Sequence, residues 1–106
     1  MIRNVVVGRL RDAPDPGQAA LDRDRLDAAL AGIEALGCPG RVASRVGRDA
    51  GLRDGGWDFA ITNDWVDAAA YRVYDADAEH NRLRREEFAP VCAEIVRVQL
   101  ELPDGP

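Results

Sequence analysis

The segment Trp57-Asp58-Phe59-Ala60-Ile61-Thr62-Asn63-Asp64-Trp65 shows the clearest alternation of apolar and polar residues in the chain. Its odd-numbered positions share one face, which carries the large side chains Trp57, Phe59, Ile61 and Trp65. The even-numbered positions are small or polar. Because strand side chains point alternately to the two faces of a sheet, this pattern predicts a half-buried strand from Trp57 to Trp65.

Three further strands are predicted on either side of this one. Ile2–Leu10 is rich in β-branched residues and apolar on both faces, which is typical of a central strand. Arg41–Gly47 and Ile95–Leu102 alternate between apolar and polar residues. The chain therefore carries four strands.

Helical patterns separate the strands. After the loop that ends at Asp15 and Pro16, which suit an N-cap and a first helical turn, apolar residues recur at helical spacing. These residues are Leu26, Ala29, Leu30, Ile33 and Leu36. We expect Asp22 to lie with the neighbouring charged residues on the solvated face.

The second helical region follows the third strand. Asp64 and Asp67 resemble a capping box that opens a helix ending near Tyr74. Asp75–Asp77 interrupts it, and a second piece is predicted from Ala78 to Ala89.

The order β-α-β-β-α-β predicts an α+β, ferredoxin-like fold, a four-stranded antiparallel sheet with the helices on one face. The other face would be bare and partly apolar, carrying Val5, Val7, Ala43, Ala60 and Thr62. Such a face in a small domain indicates an interface, most simply a homodimer with two-fold symmetry.

The 106 residues fit one domain, predicted as 1–102 with a tail at 103–106. The net charge of −5 argues against nucleic acid as a ligand. No apolar run reaches the roughly 20 residues of a membrane span, and the first residues do not resemble a secretion signal. We therefore expect a soluble, cytoplasmic protein.

The available side chains limit the chemistry. The chain has one histidine, His80, no lysine, and two cysteines far apart in sequence. No set of metal ligands and no dinucleotide-binding glycine pattern is present, so we expect neither a metal nor another cofactor. Acid–base chemistry near neutral pH would most naturally use His80.

Four segments, in order and spacing, resemble the stress-responsive A/B barrel (Dabb) family. They are Ile2–Val7, Gly47–Asp49, Gly56–Ala60 and Tyr74–His80. In that family the first strand often reads I-R-H-V-V, and the second helix carries Y-x-x-H-P-x-H. This chain keeps the Tyr and the final His, but it has Asn4 for the first-strand His, Phe59 for a frequent strand-three His, and Asp77-Ala78 for His-Pro.

The resemblance implies a dimeric α+β barrel in which two sheets pack face to face. One plant member is a polyketide cyclase, whose Tyr and His perform an aldol-type ring closure. By that resemblance, His80 and Tyr74 are the candidate catalytic residues.

Because strand residues two apart share a face, Asn4, Val6, Phe59 and Ile61 are candidate ligand-binding residues beside that pair. We expect His80 and Tyr74 to be only partly enclosed. The alternatives are a stress-associated binding protein without catalysis, and a cofactor-free monooxygenase of the antibiotic-biosynthesis type, in which Asn4 and Trp57 would matter.

Overall fold

The structure, a computed structural model, describes residues 1–103 and contains one antiparallel sheet. Its strands are β1 (Ile2–Leu10), β2 (Arg41–Arg48), β3 (Phe59–Trp65) and β4 (Cys92–Glu101). They lie in the order β2-β3-β1-β4, so β1 is central as predicted. The predicted ferredoxin-like fold is confirmed. The predicted tail lies outside the described residues except for Pro103.

Helix α1 (Pro16–Ala35) is stabilised at both ends by side chains. At the start, the Asp15 carboxylate accepts a hydrogen bond of 2.8 Å from the backbone N–H of Gln18, as an N-cap residue does. At the end, the Arg41 guanidinium donates to the carbonyls of Ile33 and Glu34, at 3.1 and 2.9 Å. All five apolar positions expected on its inner face are buried.

The expectation for Asp22 was wrong, because only 3% of this residue is exposed. Arg11 donates two hydrogen bonds to its carboxylate, at 2.8 and 3.1 Å, and Gln18 donates a third. These bonds, those from Arg11 first, lower the pKa of Asp22. Helical periodicity placed Asp22 among charged neighbours, but it could not show that the end of β1 delivers a matching guanidinium.

The predicted capping box at Asp64 was also wrong. Asp67 alone caps α2 (Ala68–Asp75), accepting a hydrogen bond of 2.8 Å from the N–H of Ala70. Asp64 remains in β3 and binds the Arg3 guanidinium at 2.8 Å across the strand pair.

The last helical segment is not one continuous α-helix from Ala78 to Ala89. Helix α3 (Ala78–Arg82) has five residues, and a π-helix (Leu83–Phe88) follows it. The N–H of Ala89 reaches back five residues to the carbonyl of Arg84, at 3.0 Å. The wider turn brings both Leu83 and Phe88, five residues apart, into the core, which regular α-helical spacing would not do.

The largest differences between the predicted and observed strand boundaries lie at the starts of β4 and β3. β4 begins at Cys92, three residues before the predicted start. β3 begins at Phe59, and Trp57 lies outside the strand, where the Arg9 guanidinium stacks 4.3 Å from its ring centre. Trp57 therefore does not belong to the inward-facing row of large side chains in β3, where the alternation had predicted it.

The helices cover one face of the sheet and leave the other open. On the open side, which we call the outer face, Val96, Val98 and Leu100 are 41, 51 and 42% exposed. Val5 and Val7 lie opposite Val98 and Val96 on the paired strand. Among residues 1–103, no helix is long and apolar enough to cross a membrane.

Candidate functional site

A cavity of about 240 Å³ lies between the helical layer and the sheet. All six candidate residues line it: Asn4, Val6, Phe59, Ile61, Tyr74 and His80. β1 and β3 supply the first four, and the break between α2 and α3 supplies the last two. The volume is somewhat below the roughly 300–1,000 Å³ of sites for drug-sized ligands, so the cavity suits a compact molecule.

The sheet wall of the cavity depends on a close approach between Gly8 and Phe59, which face each other across β1 and β3. A Cβ atom on Gly8 would lie 2.1 Å from the Phe59 ring, so the ring occupies the space that a side chain would fill. The ring also packs against Phe88 at a centroid distance of 5.8 Å. The missing side chain at Gly8 thus fixes one wall of the site.

His80 occupies the first turn of α3 and its side chain is turned inward. Its backbone N–H donates to the Asp77 carboxylate at 2.9 Å, which anchors the residue, and only 7% of it is exposed. Within residues 1–103, its buried Nδ1 atom has no hydrogen-bond partner. Burial first, then the positive charge of Arg84, lowers the pKa of His80, while Asp75 and Asp77 oppose that shift. The imidazole is therefore neutral at pH 7.

Tyr74 packs against His80, with ring centres 4.2 Å apart, and against Trp65 at 4.7 Å. It is 2% exposed, so the expectation that these two side chains would be only partly enclosed was wrong. Burial raises the pKa of Tyr74 to about 12, which keeps its hydroxyl protonated at neutral pH.

A chain of side-chain amides runs from the sheet edge to the Tyr74 hydroxyl. Gln99 donates to Asn4 at 2.9 Å, Asn4 to Asn63 at 3.1 Å, and Asn63 to Tyr74 at 3.4 Å. The Trp65 indole also donates to the Asn63 carbonyl, at 2.9 Å. Sequence reasoning missed Asn63, although a polar residue within the apolar row of β3 was the signal that could have found it.

Charged side chains surround the mouth of the cavity. Arg84 and Arg85 from the π-helix and Arg97 from β4 line it, together with one carboxylate, Asp75. Arg82 belongs to a different surface, where it pairs with a group of acidic residues on its own helical segment: Glu79, Glu86 and Glu87.

Other candidate groups lie elsewhere. Trp57 lines a second cavity, of about 270 Å³, on the outer face together with Val7 and Gly47. Cys92 is half-buried, and that burial raises the pKa of its thiol to about 11, so it is a poor nucleophile. In the described part of the chain, no three His, Cys, Asp or Glu side chains are grouped to hold a metal ion.

No protein-family model matches the chain, and no curated protein does. Solved structures match over nearly its whole length. A dimeric ferredoxin-like protein of unknown function from Thermobifida fusca is 28% identical, with a TM-score of 0.72, over 95% of this chain and 90% of that one. A Dabb family protein with a ferredoxin-like fold from Mesorhizobium loti is 21% identical, with a TM-score of 0.70. The match covers 98% of this chain and 97% of that one.

This chain has the ferredoxin-like fold of the Dabb proteins. The resemblance predicted from the sequence is confirmed at the level of the fold. An antibiotic biosynthesis monooxygenase shares it too, at 14% identity and a TM-score of 0.67, over 97% of this chain and 99% of that one. The same fold thus occurs in proteins described in different functional terms.

Proposed function

We propose that this protein is a homodimeric, Dabb-type small-molecule-binding protein whose helix–sheet cavity acts on an enolisable ligand, with His80 as base. The observation that carries the proposal concerns His80, which lines the cavity. Its buried Nδ1 atom has no hydrogen-bond partner in the described residues. A buried polar atom without a partner costs free energy, and a ligand that supplies the missing hydrogen bond would recover it.

The chemistry would be removal of a proton from a carbon flanked by two carbonyl groups. A neutral imidazole can take that proton, and the lowered pKa keeps His80 in the unprotonated form at pH 7. The electron pair left by the C–H bond moves onto a carbonyl oxygen and gives an enolate. In the cyclase version, that enolate carbon attacks a second carbonyl of the same molecule and closes a ring. The π bond of that carbonyl breaks, and its oxygen takes the proton back from the His80 imidazolium to give a hydroxyl group.

Tyr74 would stabilise the developing negative charge. Its hydroxyl accepts the Asn63 amide hydrogen bond, which leaves its own proton to donate. Since the pKa of Tyr74 is about 12, the hydroxyl keeps that proton and remains a donor. The amide chain from Gln99 through Asn4 would hold Asn63, and through it Tyr74, in a fixed position.

The dimer would form through the outer face. Neighbouring structures are described as dimeric, and valines and a leucine are exposed on this face without a covering element from residues 1–103. We expect a total buried area of at least about 1,200 Å², the lower limit for a stable interface of ordinary size.

Binding without catalysis is the simpler alternative, since the same cavity would serve both. The monooxygenase alternative has less support, because Trp57, one of the two residues that it would use, lies on the outer face rather than in the cavity.

Exchange of the methylene protons of benzoylacetone in D₂O, followed by NMR, tests the proposal. We expect the protein to accelerate exchange and His80→Gln to lose the roughly 10²–10⁴-fold typical of a general base. Tyr74→Phe should lose less, because only the donor disappears. Arg72→Gln, an exposed change on α2, is the matched control. Equal rates in wild type and His80→Gln would refute the catalytic proposal, while chemical-shift changes at the cavity would keep the binding function.

A further inference from the structure

The arginines at the cavity mouth form a positive site in a protein of net charge −5. Most guanidinium groups in the described residues are neutralised by carboxylates or bound to backbone carbonyls. Arg85 and Arg97 have no ion pair and no side-chain hydrogen bond within residues 1–103, and Arg84 binds only the amide of Asn81, at 3.0 Å. Asp75 is the one carboxylate among the residues that line the cavity, which leaves a local excess of two positive charges.

Two structural elements bring these arginines together. Adjacent residues on an α-helix diverge by about 100°, so Arg84 and Arg85 would ordinarily point apart. The π-helix has more residues per turn and narrows that angle, and both side chains line the cavity. Arg97 approaches from the opposite side, because it pairs with Val6 and shares the inward face of the sheet.

A second observation points to a ligand in the same cavity. His80 is more than nine-tenths buried and its Nδ1 atom has no partner in the described residues, whereas the three arginines are exposed. The cavity therefore combines exposed arginines, apolar walls at Val6 and Ile61, and a lining residue, His80, whose buried Nδ1 atom has no partner in the described residues.

We propose that the ligand is a small carboxylic acid whose carboxylate lies at the mouth between Arg97 and the pair Arg84 and Arg85. A planar guanidinium matches a carboxylate with two parallel hydrogen bonds, and two facing guanidinium groups can hold both of its oxygens. The apolar body lies against Val6 and Ile61. This inference rests on the proposed function and names the class of molecule that the cavity takes.

The test compares probes of similar shape and different charge. Benzoate carries the anion and a ring, benzamide keeps the shape without the charge, and inorganic phosphate has charge without an apolar body. Each is titrated into the full chain, with affinity measured by calorimetry and the site located by amide chemical shifts. We expect benzoate to bind at least about tenfold more tightly than benzamide, since the charge-assisted bonds are partly exposed to water.

Variants and salt separate the parts of the site. Arg97→Gln and Arg84→Gln should each weaken benzoate several-fold and leave benzamide unchanged, while Arg72→Gln should change neither. Raising sodium chloride from about 0.02 to 0.5 M should weaken benzoate and not benzamide, because exposed charges are screened.

The outcomes are distinguishable. Equal affinities for benzoate and benzamide, with shifts at the cavity, would overturn the carboxylate proposal and preserve the binding function. Phosphate binding as tightly as benzoate would also overturn it, since the apolar walls would then contribute nothing. No shift at the cavity with any probe would refute the carboxylate proposal, and benzoylacetone exchange would then decide the proposed function independently.

Discussion

Replacing Gly8 by alanine should be among the most damaging small changes in this protein. The new Cβ atom would lie 2.1 and 2.3 Å from two atoms of the Phe59 ring. Carbon atoms in contact lie about 3.5–4.0 Å apart, so the ring would have to move by about 1.5 Å. It has little room to do so, because Phe59 is 2% exposed and packs against Phe88.

Overpacking of a core commonly costs about 1–3 kcal/mol, and the confined ring places Gly8→Ala in the upper half of that range. For a domain of this size, a cost of about 2 kcal/mol lowers Tm by roughly 8–16 °C. The measurement is urea and thermal unfolding at a fixed protein concentration, since the proposed dimer would make Tm depend on concentration.

Gly37→Ala is the control, because nothing lies within 4 Å of a Cβ atom at that exposed position. It should change stability by no more than about 0.5 kcal/mol, or raise it slightly by restricting the unfolded chain. Phe59→Leu should lower the free energy of unfolding of the wild type more than that of Gly8→Ala, because the smaller side chain relieves the clash with the new Cβ atom. The difference, which is the coupling energy of the double-mutant cycle, should be about 1 kcal/mol or more. If Gly8→Ala is as stable as Gly37→Ala, the close approach of Gly8 and Phe59 does not exist as described.

Three further changes test other parts of the molecule. Because folding lowers the pKa of His80, the unfolded chain binds more protons than the folded protein below about pH 6.5. The wild type should therefore lose stability, relative to His80→Gln, as the pH falls below that value. Parallel profiles of stability against pH for the two proteins would contradict this. Asn63→Leu removes the acceptor for Trp65 and Asn4 and should cost about 2–4 kcal/mol in urea unfolding, whereas a neutral result would mean that these donors find other partners. Val98→Asp should shift the protein from dimer to monomer in sedimentation at micromolar concentration, and an unchanged dimer would place the interface elsewhere.

The sequence pattern was enough to predict the architecture, because the periodicities of strands and helices are local and can be read directly from the order of residues. The alternation in β3 and the doubly apolar run in β1 defined two neighbouring strands, and the spacing of Leu26, Ile33 and their neighbours defined the inner face of α1. The same periodicity placed Asn4, Val6, Phe59 and Ile61 on one face, where the structure has them lining the cavity.

The tertiary structure decided which polar groups meet. Asp22 is buried because Arg11 reaches it from the end of β1, and Asn63 is buried because three other side chains use its amide. Apart from the bond between Trp65 and Asn63, these pairings join different structural elements, which meet only when the chain has folded. No local sequence pattern therefore predicts them.

The cavity mouth shows the same division. In the sequence, Arg84 and Arg85 stand beside Glu86 and Glu87, a composition typical of a solvated helix surface, and Arg97 is a polar position of an alternating strand. The π-helix, which buries Leu83 and Phe88, places Arg84 and Arg85 at the cavity, and the pairing of β4 with β1 places Arg97 there. The three guanidinium groups lie near one opening only because of these two features. Local periodicity thus determines which face a residue takes, whereas long-range packing determines which charges share a site.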